Sequence, residues 1–180
     1  FAVEALLNEP SAAGFEYAHR SRRDGRREHL VVYDLGGGTF DVTVMQARGD
    51  TFEVVATDGD SYLGGEDFDY AIAEWLESEF SAEHGSDLST QQAARLRLKE
   101  AAEKAKVELA AAEIAQIDLP FLAVLPDGSR VNFSRTLSRQ KLEELCRPLI
   151  ERTLELCDRC LSTARIVRGL GRVIPFYRAY

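Results

Sequence analysis

Asp34 and Asp41 stand on either side of Gly36, Gly37, Gly38 and Thr39, and these residue types at this spacing can hold an anion. Three glycines remove every Cβ from the turn, so successive N–H groups can approach a negative ligand closely and adopt positive φ where the turn needs it. Thr39 adds a hydroxyl to the same rim. Two carboxylates would repel a phosphate unless a divalent cation or ordered water lay between them. The chemistry indicated is a metal–phosphate site. Taken alone, the same residues also fit a hairpin turn whose acids merely keep its ends soluble. A Walker A loop is excluded, because no Lys-Ser or Lys-Thr follows the glycines.

The elements that must position these residues are legible around them. Leu30, Val31, Val32 and Tyr33 run into Asp34, and Val42, Thr43 and Val44 lead away from Asp41, which predicts strand, tight turn, strand. Residues 51–57 form a third strand, giving an antiparallel meander. Pro10 and the alanines after it predict a helix over 10–19, with Glu9 as an acid at its first turn. Gly64 and Gly65 make a second side-chain-free corner, between a strand and a helix, and helix capping accounts for Glu66, Asp67 and Asp69 beyond it. From Phe68, the positions Ile72, Trp75, Leu76 and Phe80 recur at helical spacing and read as core.

Ser89 with Gln92 matches a capping box and predicts a long helix to about residue 112. Its charges alternate in sign, the pattern of a solvated face, and Glu103 and Lys106 share one side of it. A strand over 114–125, a turn at Pro126-Asp127-Gly128-Ser129 and a returning strand over 130–134 follow. Ser138 caps a last helix whose predicted buried face is Leu142, Leu145, Cys146, Leu149, Ile150, Thr153, Leu154, Cys157 and Leu161, kinked at Pro148. Cys157 and Cys160 form a lone C-x-x-C; with no second pair for zinc, they read as helix cysteines. His84, beside Gly85, reads as a dipole partner at a helix end.

Composition limits the partners. Against 22 basic residues stand 30 acidic ones, a net charge of -8, which argues against nucleic acid as a partner. No apolar run suits a bilayer, so no membrane is expected, and three cysteines, all late in the chain, point to a reducing, cytoplasmic setting. The chain opens on Phe1 inside an apolar segment, from which a piece of a longer protein is expected.

The string Asp34-Leu35-Gly36-Gly37-Gly38-Thr39-Phe40-Asp41-Val42 resembles the second phosphate motif of the DnaK-like seventy-kilodalton heat-shock chaperone family. Three further stretches resemble that family in the same order. They are Asn8-Glu9-Pro10-Ser11-Ala12-Ala13, the hinge string from Gly59 to Asp69 that contains Leu63-Gly64-Gly65-Glu66-Asp67-Phe68, and the helix Leu98-Lys99-Glu100-Ala101-Ala102-Glu103-Lys104-Ala105-Lys106. The resemblance implies an α/β fold, the second lobe of an actin-like ATPase domain. It would be a ribonuclease H-like antiparallel meander plus helices, with an inserted α+β subdomain. The implied division is 1–63 as inner subdomain, 64–145 as the outer inserted subdomain and 146–180 as the return to the inner one.

The same resemblance implies the ligands. ATP or ADP would bind with Mg2+, and K+ as a further ion. Asp34, Glu9 and Asp41 would be catalytic, with Asp34 and Glu9 facing the metal through water. The nucleotide would be bound by Gly36, Gly37, Gly38 and Thr39 at its phosphates, by Gly64 and Gly65 at the hinge, and by Glu103 and Lys106 at its ribose. The first lobe and peptide-binding domain of the same protein, a J-domain cochaperone, a nucleotide-exchange factor and unfolded client peptides are the implied partners. These residues alone are expected to bind nucleotide weakly and to lack ATPase activity, since no first-lobe phosphate motif or upstream lysine is present. Departures occur at Ala110 and Ala111, where the family often has serines, and at Leu170, where it has glycine; one lost hydroxyl is worth on the order of 1 kcal/mol. Two other readings fit: an actin-like phosphotransferase of the sugar-kinase type, and a non-catalytic interaction module that has lost adenine binding.

Overall fold

The computed structural model describes residues 9–20, 27–48, 51–166 and 172–177. The chain divides into two compact units, Phe1–Gly64 with Glu151–Tyr180, and Gly65–Ile150. The first division falls between the two glycines of the second corner, and the second falls inside a helix.

The first unit is a four-stranded sheet in the order β3-β2-β1-β6. Strands β1 (Arg27–Leu35), β2 (Phe40–Arg48) and β3 (Thr51–Asp60) make the antiparallel meander, and β6 (Arg172–Tyr177) returns to lie parallel to β1. β6 holds Pro175 on the sheet edge, where a missing N–H is tolerated. Gly169 and Leu170 lie outside the described residues. β1 and β2 are buried over consecutive residues, Leu30, Val31 and Val32 on one and Val42, Thr43, Val44 and Met45 on the other, because both faces of the sheet are covered. On one face, helix α1 (Glu9–Arg20) lays Ala13 and Tyr17 over Leu30, Val32, Met45 and Ala47. Gly14 lets it approach: a Cβ there would stand 3.2 Å from the ring of Phe52. On the other face, Tyr33 packs its ring at a tilt against Phe40 and donates its hydroxyl to Thr153 of the last helix at 2.9 Å.

The second unit packs α2 (Gly65–His84), α3 (Gln92–Leu109), the hairpin of β4 (Ile114–Val124) and β5 (Arg130–Ser138), and the start of α4 (Arg139–Thr163). Its core contains Ile72, Leu76, Phe80, Leu98, Phe133 and Leu137, each at most 2 % exposed. A fully buried side chain of this size contributes about 1.5–3 kcal/mol by leaving water. The predicted turn forms with Gly128 at φ 85°, a conformation that favours glycine. Ser138 caps α4 as predicted, its Oγ accepting from the Lys141 amide at 3.1 Å.

Several expectations need correction. The capping box of Ser89 and Gln92 does not form: α3 starts after Gln91, and the Ser89 hydroxyl donates instead to Asp87 at 2.6 Å. α3 stops at Leu109 rather than near 112, and Arg139 takes the carbonyls of Leu109 and Ala112 left over there. On α4, Leu154 is 48 % and Ile150 39 % exposed, whereas the buried stripe runs through Cys146, Thr153, Leu156 and Cys160. Pro148 lies inside α4. No described helix is long and apolar enough to cross a membrane.

Candidate nucleotide site

Register explains why the two acids of the glycine turn act together. β1 and β2 pair so that Asp34 lies opposite Asp41 and Leu35 opposite Phe40, and the Gly36 amide closes the turn on the Thr39 carbonyl at 2.9 Å. Both carboxylates therefore leave the sheet on one face, the face that α1 covers. Asp34 is buried at 8 % exposure, while Asp41 is exposed, as are Gly37, Gly38 and Thr39. Two like charges directly across a strand pair are unfavourable unless something positive or hydrated separates them.

The glycines divide into two kinds. A Cβ on Gly37 or Gly38 would meet nothing within 4 Å, so the turn presents bare backbone to open space. Neither residue has positive φ; among the described glycines only Gly85 and Gly128 do. Absence of side chains at 37 and 38 thus serves neither packing nor a left-handed turn, and it leaves room for a ligand. Gly64 is the opposite case. Its Cβ would fall on the carbonyl of Gly37 and 2.5 Å from the amide nitrogen of Gly38, so the second glycine corner backs directly onto the first. Gly59 belongs to the same arrangement: it pairs with Asp41, and a Cβ there would stand 2.8 Å from the Asp41 Oδ1.

α1 runs antiparallel to β1, since Tyr17 donates to Glu28 near the start of β1 at 3.2 Å while Gly14 lies beside Met45, the partner of Leu30. Its N-terminal residue Glu9 is therefore carried toward the Asp34 end of the strand. The side chain of Glu9 lies outside the described residues. Asp34, Gly36, Gly37, Gly38, Thr39, Asp41 and Gly64 are together in the first unit.

Gly65, Glu103 and Lys106 belong to the second unit. Gly65 is the first residue of α2, and its carbonyl accepts from Lys106 Nζ at 2.9 Å. The same ammonium stands 2.7 Å from Asp69 Oδ1 in an ion pair. A lysine has three N–H donors, so these two partners leave one for a ligand. Glu103, one turn earlier on α3, is exposed. Burial pushes the Asp69 carboxyl above its ordinary range, with Lys106 opposing that shift only in part. Cys146 is buried near the pair, and desolvation pushes its thiol up to about 11.

Sequence reasoning missed two things. Asp69 was expected to cap a helix but is 4 % exposed and pairs with Lys106 on a different helix. Asp58 and Asp60 are held by Arg159 and Arg152, far away in sequence. The available signal was two arginines at heptad spacing on α4 and two acids alternating on β3.

Comparison with known proteins bears on these residues jointly. The profile of the family described as Hsp70 protein matches residues 1–169. The chain belongs to the Hsp70 family. It is 47 % identical over 165 residues to the mitochondrial heat shock 70 kDa protein of Solanum tuberosum, covering 91 % of this chain and 23 % of that protein. It is 48 % identical over 166 residues to the chaperone protein DnaK of Mycoplasmoides gallisepticum, covering 91 % of this chain and 27 % of that one. With the mitochondrial heat shock 70 kDa protein of Dictyostelium discoideum it shares 44 % identity over 162 residues, 90 % of this chain and 24 % of the relative. The chain thus spans about a quarter of the length of the curated relatives it matches. The α/β architecture of this Hsp70-family chain, antiparallel strands with helices, agrees with the actin-like ATPase domain of the family.

Proposed function

We propose that these residues form the second lobe of the ATPase domain of an Hsp70 chaperone, and that the whole protein couples ATP hydrolysis to the binding of unfolded peptides. The observation that carries this reading is the turn at 36–39: bare backbone open on one side, backed by Gly64 on the other, with Asp34 and Asp41 paired at its base.

The chain's own residues fit magnesium and phosphate. Backbone N–H groups of Gly37, Gly38 and Thr39 can take phosphate oxygens where a Cβ would otherwise stand. Asp34, buried at the end of β1, is suited to orient a water molecule, and Asp41 and Glu9 to hold the hydration shell of the metal. Mg2+ here would complete its shell with water and phosphate oxygens. Bound there, the ion would neutralise charge developing on the phosphoryl group. K+ would be a further ion of this reading. Glu103 and the remaining donor of Lys106 suit ribose hydroxyls. A J-domain cochaperone, an exchange factor and client peptides are the partners that this reading carries with it, and a cytoplasmic location is part of the same proposal.

Titration with labelled ATP, with and without Mg2+, tests the reading. Metal-dependent binding that Asp34→Asn abolishes is the expected result. ATP binding that ignores both magnesium and Asp34 would sink it, and no binding by the whole protein would favour a non-catalytic interaction module.

A further inference from the structure

β3 ends in Asp58, Gly59 and Asp60, and the pleat sends them alternately to the two faces of the sheet. Gly59 faces the Asp41 side, where its missing Cβ leaves room for the Asp41 carboxylate. The two acids face α4, and each is gripped there. Arg159 donates from Nε to Asp58 Oδ2 at 2.7 Å and from its second nitrogen to Oδ1 at 2.8 Å, a two-pronged pair. Arg152, two turns earlier, donates from Nε to Asp60 Oδ2 at 2.7 Å, while the Tyr62 amide donates to Oδ1 at 2.9 Å. Beyond Tyr62 the chain reaches Gly64, which lies against the Gly37–Gly38 peptide. Both aspartates are held below the usual carboxylate range, Asp58 chiefly by Arg159 and Asp60 by the Tyr62 amide and then Arg152.

We propose that Arg152 and Arg159 are positioning residues of the phosphate turn. By fixing Asp60 and Asp58 against α4, they set where β3 presents Gly59 to Asp41 and Gly64 to the 36–39 backbone. Both arginines bond to the acids of β3. Their effect reaches the turn through a short stretch of chain in which both contact points are glycines with no side chain to absorb a displacement. The inference rests on the nucleotide reading above.

The test compares the full chain with the double variant Arg152→Gln/Arg159→Gln, using Mg·ATP and adenosine as ligands. Two exposed ion pairs together are expected to change Mg·ATP affinity about fivefold, with adenosine, which lacks phosphate, unchanged. Arg152→Lys/Arg159→Lys should recover only part of the loss, because charge is retained but the two-pronged geometry is not. Equal weakening of both ligands, or no change in either, overturns the proposal. If the parent chain binds no phosphate-bearing nucleotide, the nucleotide reading fails first. Amide hydrogen exchange at 36–39 and 59–64 then decides this one: faster exchange in the double variant supports it, and unchanged exchange overturns it.

Discussion

Gly37 and Gly64 carry the same side chain for opposite physical reasons. At Gly37 a methyl group would enter open space and the backbone is not left-handed, so Gly37→Ala should change stability by no more than about 1 kcal/mol, and in the favourable direction if anything. The same methyl group would occupy the room for phosphate, and Mg·ATP affinity should fall roughly tenfold, about 1.4 kcal/mol. At Gly64 a methyl group meets backbone that cannot swing aside, so Gly64→Ala should cost about 1–3 kcal/mol as well as affinity. Denaturant unfolding and nucleotide titration on both variants separate the two cases; equal loss of stability would contradict the open turn. Asp69 makes a third residue-scale case, through pH. Its folded carboxyl holds a proton more tightly than the unfolded one, whose pKa is near 3.8. Stability from this group is therefore highest below 3.8, declines as pH rises from there toward the raised folded value, and is level above it. Asp69→Asn should remove that decline, as urea midpoints measured across the acid range would reveal.

At the scale of elements, α4 shows what periodicity settles and what it leaves open. Apolar residues or cysteines occupy 154, 156, 157, 160 and 161, so two neighbouring stripes satisfy helical spacing equally well. The sheet face selects the stripe containing Leu156 and Cys160, and not the expected one containing Leu154 and Cys157. Cys160 is 1 % exposed, with its Sγ donating to the Val42 carbonyl at 3.6 Å, and Cys146 is buried too; Cys157 is only half-buried. Burial raises both buried thiols above their ordinary range, which starves them of reactive thiolate. A thiol reagent on the native chain should therefore label Cys157 first, and mass spectrometry after short exposure would expose the reverse order. The start of α3 was misread for a comparable reason. Ser89 found a closer acceptor in Asp87, and such local hydrogen bonds compete with helix caps. The strands flanking the glycine turn were legible because runs of β-branched and aromatic residues admit one phase. Asp69 was not, because an acid early in a helix looks the same in sequence whether it caps or is buried.

For the whole molecule, the division into units predicts which part can stand alone. The second unit is one continuous stretch, Gly65–Ile150, whose core is drawn entirely from its own residues. Its sheet is a self-contained hairpin, and the open end of α3 is closed by Arg139 from the same stretch. The first unit is assembled from two stretches: β1 takes β6 as its parallel neighbour from the far end of the chain, and Tyr33 and Val42 meet Thr153 and Cys160 there. Residues 65–150 expressed alone should keep their helical circular dichroism and unfold in a single transition, with a urea slope of roughly 1 kcal/mol/M. Residues 1–64 alone lack both the edge strand β6 and the helix that covers one face of their sheet, and should show no cooperative transition. Exposed apolar strands of that kind bind hydrophobic dyes, which gives a second readout on the same sample. A broad, gradual melt of 65–150 would mean that its core is completed by the rest of the chain, and the two-unit description would then be wrong.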